Sequence, residues 1–274
     1  MSYYFPPQKK PQRWGTPQDI EFAVAKNSEK IYGVDHKSNG LVMPLFFGFP
    51  CLDYSGKQNH GTPYGGVAYN GQGLDFDGGD DAVSLGDITF LDGASVWTIS
   101  SYINIGTVEA ASILAKWMDA PTSQWSFLQS LSATGEVGLA HRNSAAVTSY
   151  GTTTDASLQV NTPYNIVWVG NSDINNYKLY VNGVQKTFSV TGRNVGVINN
   201  STNHLFLGSR GSTVPLSYYF NGLISEARIN NITLTAEQIA LFYARPWDLY
   251  RRVGRTYYSI AAVPSIYIPQ IMIF

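Results

Sequence analysis

This sequence predicts an all-β fold: a two-sheet antiparallel sandwich with one short C-terminal helix and an extended arm at each end. Three observations predict it. From Leu41 onward, short apolar or alternating runs recur about every 8–15 residues, separated by Gly, Asn, Asp and Ser, which is the rhythm of antiparallel strands and not of βαβ units. Aromatic and charged residues each make up 14% of the chain, with 18 Tyr and 26 Gly, so composition leans to strands and turns. Helical periodicity with a start signal occurs at one place, after Thr235, where Gln238 completes a capping box and Ile239, Phe242 and Tyr243 recur at helical spacing.

Residues 1–40 read as an irregular arm. Pro6, Pro7, Pro11 and Pro17 interrupt it, leaving Gln18–Lys26 room for two helical turns at most. Residues 41–244 form the body. Leu41–Phe47 is strand-like, and Asp53–Thr62 (DYSGKQNHGT) is a loop dense in turn formers. Gly73–Leu85 (GLDFDGGDDAVSL) reads strand, turn, strand, and Trp97–Asn104 alternates. Ser112–Trp117 with Trp125–Ser130 predicts one hairpin, and Val137–Arg142 with Ala145–Tyr150 another. Tyr164–Gly170 is a continuous apolar run suited to a central strand. In Tyr177–Val184 the Asn182-Gly183 pair sets a tight type I′ turn. His204–Ser209 is a further strand. The stretch Phe220–Tyr243 is the centre of organisation: Leu223, Ser225, Ala227 and Ile229 alternate with Ile224, Glu226, Arg228 and Asn230, leading into the helix. Residues 245–274 form an extended docking arm whose apolar end is broken by Pro264 and Pro269.

Charge limits the functions available. Residues 41–244 hold 14 acids against 8 bases, while both ends are net basic. An acidic body argues against a nucleic-acid-binding domain. No run is long and apolar enough to insert in a membrane, and the first residues have no apolar signal-peptide core. Cys51 is the single cysteine, so no intrachain disulfide forms.

Several motifs, in order, carry a family resemblance. DYSGKQNHGT, GLDFDGGDDAVSL, WTISSYI, KLYVNG, HLFLGS and FNGLISEARINNITLTAEQIALFY resemble laminin-G-like domains of the concanavalin A-like jelly-roll superfamily. The resemblance spans about Leu41–Tyr243 and implies a jelly roll, a fold that hosts lectins, glycosidases, adhesion modules and spacers alike. It also implies a structural Ca²⁺ held by Asp53, Asn59, Gly61 and Glu226, although Ser225 stands where the family commonly has a second acid. Asp53 capping its own turn is the alternative for that loop. The cluster Asp75, Asp77, Asp80 and Asp81 lacks the flanking helices and downstream Glu of a calcium loop and reads as turn formers.

Hydrolysis is disfavoured. The superfamily's hydrolases carry acids spaced E-x-D-x-x-E or E-x-D-x-E on one strand, and neither spacing occurs. No nucleophile elbow, zinc spacing or phosphate loop appears. Glycan binding would use exposed rings near strand ends, for which Trp117, Trp125, Tyr218 and Tyr219 are the candidates. In the C-terminal arm, Trp247, Arg251, Arg252 and Arg255 are the candidate partner-docking residues, because Arg and aromatics are enriched at interfaces. The run Ala244–Ser259 resembles tails that follow this domain in tailed-phage proteins. Together these readings imply a non-enzymatic virion component, in capsid decoration or a tail fibre. Its arms would contact other virion subunits or further copies of itself, and its lectin-like domain would be displayed toward a surface glycan. A carbohydrate-binding module of a secreted bacterial protein, located extracellularly, is the alternative.

Overall fold

The computed structural model describes residues 16–32, 40–45, 51–118, 125–143, 148–191, 196–211 and 216–251. Two antiparallel eight-stranded sheets pack face to face. The first sheet contains β1 (Gly40–Pro44), β3 (Ala68–Tyr69), β4 (Leu74–Asp77), β6 (Val96–Ile105), β11 (Pro163–Asn171), β12 (Lys178–Val181), β13 (Val184–Lys186) and β16 (Asn221–Asn230), in the order β13-β12-β11-β6-β16-β4-β3. β4 and β1 pair successive halves of the same edge of β16. The second sheet contains β2 (Thr62–Tyr64), β5 (Ala82–Ser84), β7 (Ala111–Lys116), β8 (Phe127–Leu131), β9 (Glu136–Arg142), β10 (Thr148–Ser157), β14 (Phe188–Thr191) and β15 (Phe206–Leu207), in the order β14-β10-β9-β8-β7-β15-β5-β2. The predicted all-β sandwich is therefore the observed architecture, and both predicted hairpins form, β7 with β8 and β9 with β10. The Asn182-Gly183 turn has φ of 52° and 76°, as a type I′ turn demands.

Side chains from the facing surfaces of both sheets form one core, including Leu41, Phe76, Trp97, Ile113, Leu139 and Ile229. Trp97, Trp168, Tyr177 and His141 interlock edge-on or tilted within it, ring centroids 5.1–5.9 Å apart. The strict alternation expected for β16 does not hold. The register shifts between Ile224 and Glu226, so Ile224 joins Ala227 and Ile229 in the core. One extra residue at a bulge resets the side-chain phase.

The outer face of the first sheet is covered from within the chain. Helix α2 (Ala236–Ala244) begins at the predicted capping box and lays Ile239 and Phe242 on Val167, Val169 and Tyr180. The terminal segments depart from expectation. Pro17–Tyr32 is a 16-residue helix, α1, and not two turns in an irregular arm. Thr16 and Asp19 cap each other's backbone, and Pro17 occupies the first helical position, where a missing N–H costs nothing. Ile20, Ala23, Val24 and Ser28 make its buried stripe. Trp247, Leu249 and Tyr250, in and beside a 3₁₀ turn over Asp248–Tyr250, pack with Ile20, Val24, Val42 and Tyr54. Asn27 Nδ2 donates to the carbonyls of Leu249 (3.0 Å) and Arg251 (2.9 Å). The two predicted arms thus clasp each other over β1 for as far as they are described.

Candidate functional site

The outer face of the second sheet has a different composition. Ladder pairing aligns Ala115, Leu128, Ala140 and Tyr150 in one cross-strand row, with Ser130, Gly138 and Thr152 in the next. Small side chains make a low floor. A Cβ on Gly138 would lie 2.7 Å from Ser130 Oγ and 2.9 Å from the Tyr150 hydroxyl, so glycine there leaves space for the tyrosine to lie across the strand. A cleft of about 440 Å³ opens over this floor, walled by Trp117, Trp125, Tyr150, Tyr218 and Arg210. That is within the usual size range of small-ligand sites.

Local pairing places each wall. Lys116 and Phe127 form a ladder pair, and Ser126 N donates to Lys116 O at 2.9 Å. Trp117 and Trp125 therefore flank the mouth of the hairpin, where they stack with centroids 4.9 Å apart and planes 9° from parallel. The Arg142 guanidinium lies 4.3 Å from the Trp125 ring centroid. Opposite strand β7, Arg210 and Ser217 bridge in both directions, and Ser112 N donates to Tyr218 O at 2.9 Å. Tyr218 sits in left-handed backbone (φ 54°), 45% exposed, with the Arg210 guanidinium 3.5 Å above its ring. A tyrosine held in this conformation carries backbone strain that its surroundings must hold in place. Burial raises the Tyr150 hydroxyl pKa against the pull of Arg210, so the phenol is neutral and both donates and accepts. No Asp or Glu lines the cleft among the described residues.

Three of the four ring candidates, Trp117, Trp125 and Tyr218, thus line the cleft, but Trp117 is not the exposed ring expected: it is 7% exposed, stacked on Trp125 and packed with Ala115, Leu128 and Ala140. Tyr219 does not join them: it packs with Ala82, Phe206 and Leu216, and its hydroxyl accepts from Leu216 N at 2.8 Å. Sequence reasoning missed Tyr150 and Arg210. Tyr150 carries a signal, since it stands on the outward phase of an alternating strand; Arg210 carries none.

The residues expected to hold Ca²⁺ do not fit an ion. Asp53 Oδ1 accepts from Val42 N and Ser55 N, and Oδ2 from Ser55 Oγ, Asn59 N and Asn59 Nδ2, at 2.8–3.2 Å. Donors therefore surround the carboxylate where a cation would need its lone pairs. Asp53 does what the alternative reading assigned it, capping its own turn. Gly61 serves packing, because a Cβ there would meet Val83 Cγ1 at 2.4 Å. Glu226 is engaged by Arg228, Nε to Oε1 at 2.7 Å and Nη2 to Oε2 at 3.0 Å, and by the Tyr250 hydroxyl. Phe242 lies 3.5 Å beneath that guanidinium. The other acidic cluster is also tied to backbone: Asp81, which is buried, accepts from Gly66 N (2.6 Å) and Asp77 N (2.9 Å).

The docking candidates divide as well. Trp247 is buried against the chain's own N-terminal helix and does not face outward. Arg251 is exposed and pairs with Asp248 at 2.8 Å. Arg252 and Arg255 lie outside the described residues.

A family model described as the concanavalin A-like lectin/glucanases superfamily matches residues 77–240, more than half of the chain. The chain belongs to that superfamily. No curated protein matches the sequence. Solved structures sharing the lectin-like fold include the binding domain of Paraclostridial mosquitocidal protein 1 (14% identity, TM-score 0.56, covering 76% of this chain and 52% of that one). A botulinum neurotoxin type C structure, whose cell entry is described as dependent on two ganglioside molecules, matches at 15% identity and TM-score 0.56, over 76% of this chain and 51% of that one. Trypanosoma rangeli sialidase matches at 13% identity and TM-score 0.52, over 77% and 33%. The chain spans about half the length of the toxin domains it matches. At such identities these likenesses establish a shared fold.

Proposed function

We propose that this lectin-like domain binds carbohydrate in the cleft on the second sheet and performs no catalysis. The observation that carries the reading is the convergence of Trp117, Trp125, Tyr150 and Tyr218 around a floor of small residues, on the one outer sheet face that no helix of the described chain covers. Sugar rings present patches of apolar C–H that stack on aromatic faces, while hydroxyls such as those of Ser130, Thr148 and Tyr150 pair with sugar hydroxyls. A non-catalytic role is supported by the lining. Glycoside hydrolysis of the common kind needs two carboxylates about 5–9 Å apart, and the described lining supplies neither. Toxin receptor-binding domains of the same fold, one of them linked to gangliosides, lend further support.

The finer reading is that the domain is displayed on the virion of a tailed phage for host-surface adhesion. The resemblance of Ala244–Ser259 to segments that follow this domain in tailed-phage proteins supports it. Glycan-array binding by the purified chain, abolished by Trp125→Ala without release of reducing ends from any polysaccharide, is the expected result. Reducing-end release would refute the non-catalytic part, and an array without hits would refute the binding part. Labelling of intact particles with antibody against the chain tests display.

A further inference from the structure

We propose that Arg142 is a positioning residue for this cleft: its guanidinium clamps Trp125 against Trp117, so that the indole stands as a fixed wall and meets a bound sugar with its edge. The inference rests on the carbohydrate reading above. Trp125 lies just before β8, and β8 runs between β7 and β9. Trp117, just after β7, and Arg142, the last residue of β9, therefore approach the indole from opposite sides. On one side the two indoles are within 9° of parallel, centroids 4.9 Å apart. On the other the Arg142 guanidinium carbon lies 4.3 Å from the Trp125 ring centroid. Both indole faces are thereby occupied, and the ring edge is what remains for the cleft that Trp125 lines. The backbones of the stack are pinned together. Asn199 Nδ2 donates to Trp125 O at 3.0 Å, Asn199 N to Arg142 O at 2.7 Å, and Arg142 N to Ser126 O at 2.8 Å.

Arg142 is 8% exposed, forms no ion pair among the described residues, and has its Nε buried without a hydrogen-bond partner. A buried cation without an acid is costly, and an apolar side chain of similar length would fill the same space at lower cost. Arg228 on the first sheet shows the stabilising arrangement, with Glu226 on two of its nitrogens. What Arg142 has instead is an aromatic partner, over which its guanidinium is a flat, rigid plate. An indole free to turn must be ordered when a ligand binds. One held between two plates is ordered beforehand, so less affinity is lost to side-chain entropy.

The test uses the full chain. The probes are chitotriose, maltotriose and sialyllactose, joined by any glycan retained from an array, with affinity read by calorimetry. The second reading is the circular-dichroism exciton couplet of the stacked tryptophans. Arg142→Met keeps the stem and removes the plate. Its couplet should lose most of its amplitude, and its affinity for each probe that the parent binds should fall about three- to tenfold. Its urea midpoint should hold or rise, because the lost cation had no acid partner. Arg142→Lys, with the charge but no plate, should recover only part of the affinity. Unchanged affinity or an unchanged couplet in Arg142→Met overturns the proposal. A fall in its urea midpoint also overturns it, since that marks Arg142 as a packing residue. Should Arg142→Met fail to fold, Arg142→Lys decides by the same couplet and affinity readings. Binding of no glycan by the folded parent overturns the carbohydrate reading, and this inference with it; probes that bind parent and Arg142→Met alike overturn this inference alone.

Discussion

The two outer faces of the sandwich use the same chemistry to opposite ends. On the first sheet an arginine stacks on an aromatic ring, Arg228 on Phe242, and the group is then sealed: Glu226 neutralises it and Tyr250 caps the pair. On the second sheet Arg210 lies on Tyr218 and Arg142 on Trp125, with no acid among the lining residues and a cleft beside them. The difference lies in what the chain places on top. The described parts of both terminal segments, together with α2, go to the first sheet. A stacked arginine is thus sealed where the chain covers it and lines a cleft where the described chain does not.

Breaking the sealed face should produce the largest effect. Glu226→Ala leaves a buried guanidinium without its counterion and is expected to cost about 3–5 kcal/mol in urea denaturation. Adding Arg228→Met to it should restore most of that loss, since an apolar replacement has no charge to desolvate. If Glu226→Ala alone costs under 1 kcal/mol, the pair is solvated and the contrast between the faces fails. A second large effect lies in the core that both faces share. Burial lowers the His141 pKa from the ordinary 6.5 to about 4. Below pH 6.5 the unfolded chain takes up a proton that the folded chain refuses. The contribution is therefore complete above pH 6.5 and is lost as pH falls toward 4, in all about 3 kcal/mol. The slope of stability against pH over this window should be shallower in His141→Gln. Equal slopes would mean the imidazole reaches water and the core is not closed.

The sandwich was legible because period-two alternation and turn residues are local signals, and it has many of both. The capping box at Thr235 and the Asn182-Gly183 turn were legible for the same reason. Helix α1 was under-read because the prolines before it drew attention from Thr16 and Asp19, which cap it, and from the stripe of Ile20, Ala23 and Val24. Its stability comes from Trp247 and Leu249, more than two hundred residues away in sequence, and no local pattern shows that. The bulge in β16 was missed because one inserted residue leaves composition unchanged. In the cleft, aromatic abundance was visible but its convergence was not. Trp117 and Trp125 meet through a hairpin the sequence predicts, whereas Tyr218 and Arg210 arrive through the Arg210–Ser217 bridge, which it does not.

Smaller effects sharpen the comparison. Asn27→Ala removes two hydrogen bonds that hold the terminal segments together and should cost about 1–2 kcal/mol. Hydrogen exchange should rise within Pro17–Tyr32 and stay unchanged in β6 and β11. Uniform acceleration would show that the clasp and the sandwich unfold as one unit. On the open face, Tyr218→Gly removes a strained backbone together with the ring beneath Arg210. Relief of strain and loss of the stack are each worth about 1 kcal/mol and oppose each other. Stability should move by less than about 0.5 kcal/mol while saccharide affinity falls. Loss of stability without loss of affinity would return Tyr218 to a packing role.

The smallest expected effect is none at all. The loop at Asp53 and the strand at Glu226 carry the acids that the family resemblance assigns to Ca²⁺, yet each carboxylate is already surrounded by protein donors. A bound cation would have to displace the N–H groups of Val42 and Asn59 from Asp53, or Arg228 from Glu226, and each exchange exposes a buried donor to no partner. Chelator should therefore leave the thermal midpoint where it was, and added Ca²⁺ should not raise it. A midpoint that falls on chelation would show that the ion replaces those donors. In that case the first sheet's cover would be held by a metal in place of the ion pair, and Glu226→Ala should then lose its sensitivity to chelator.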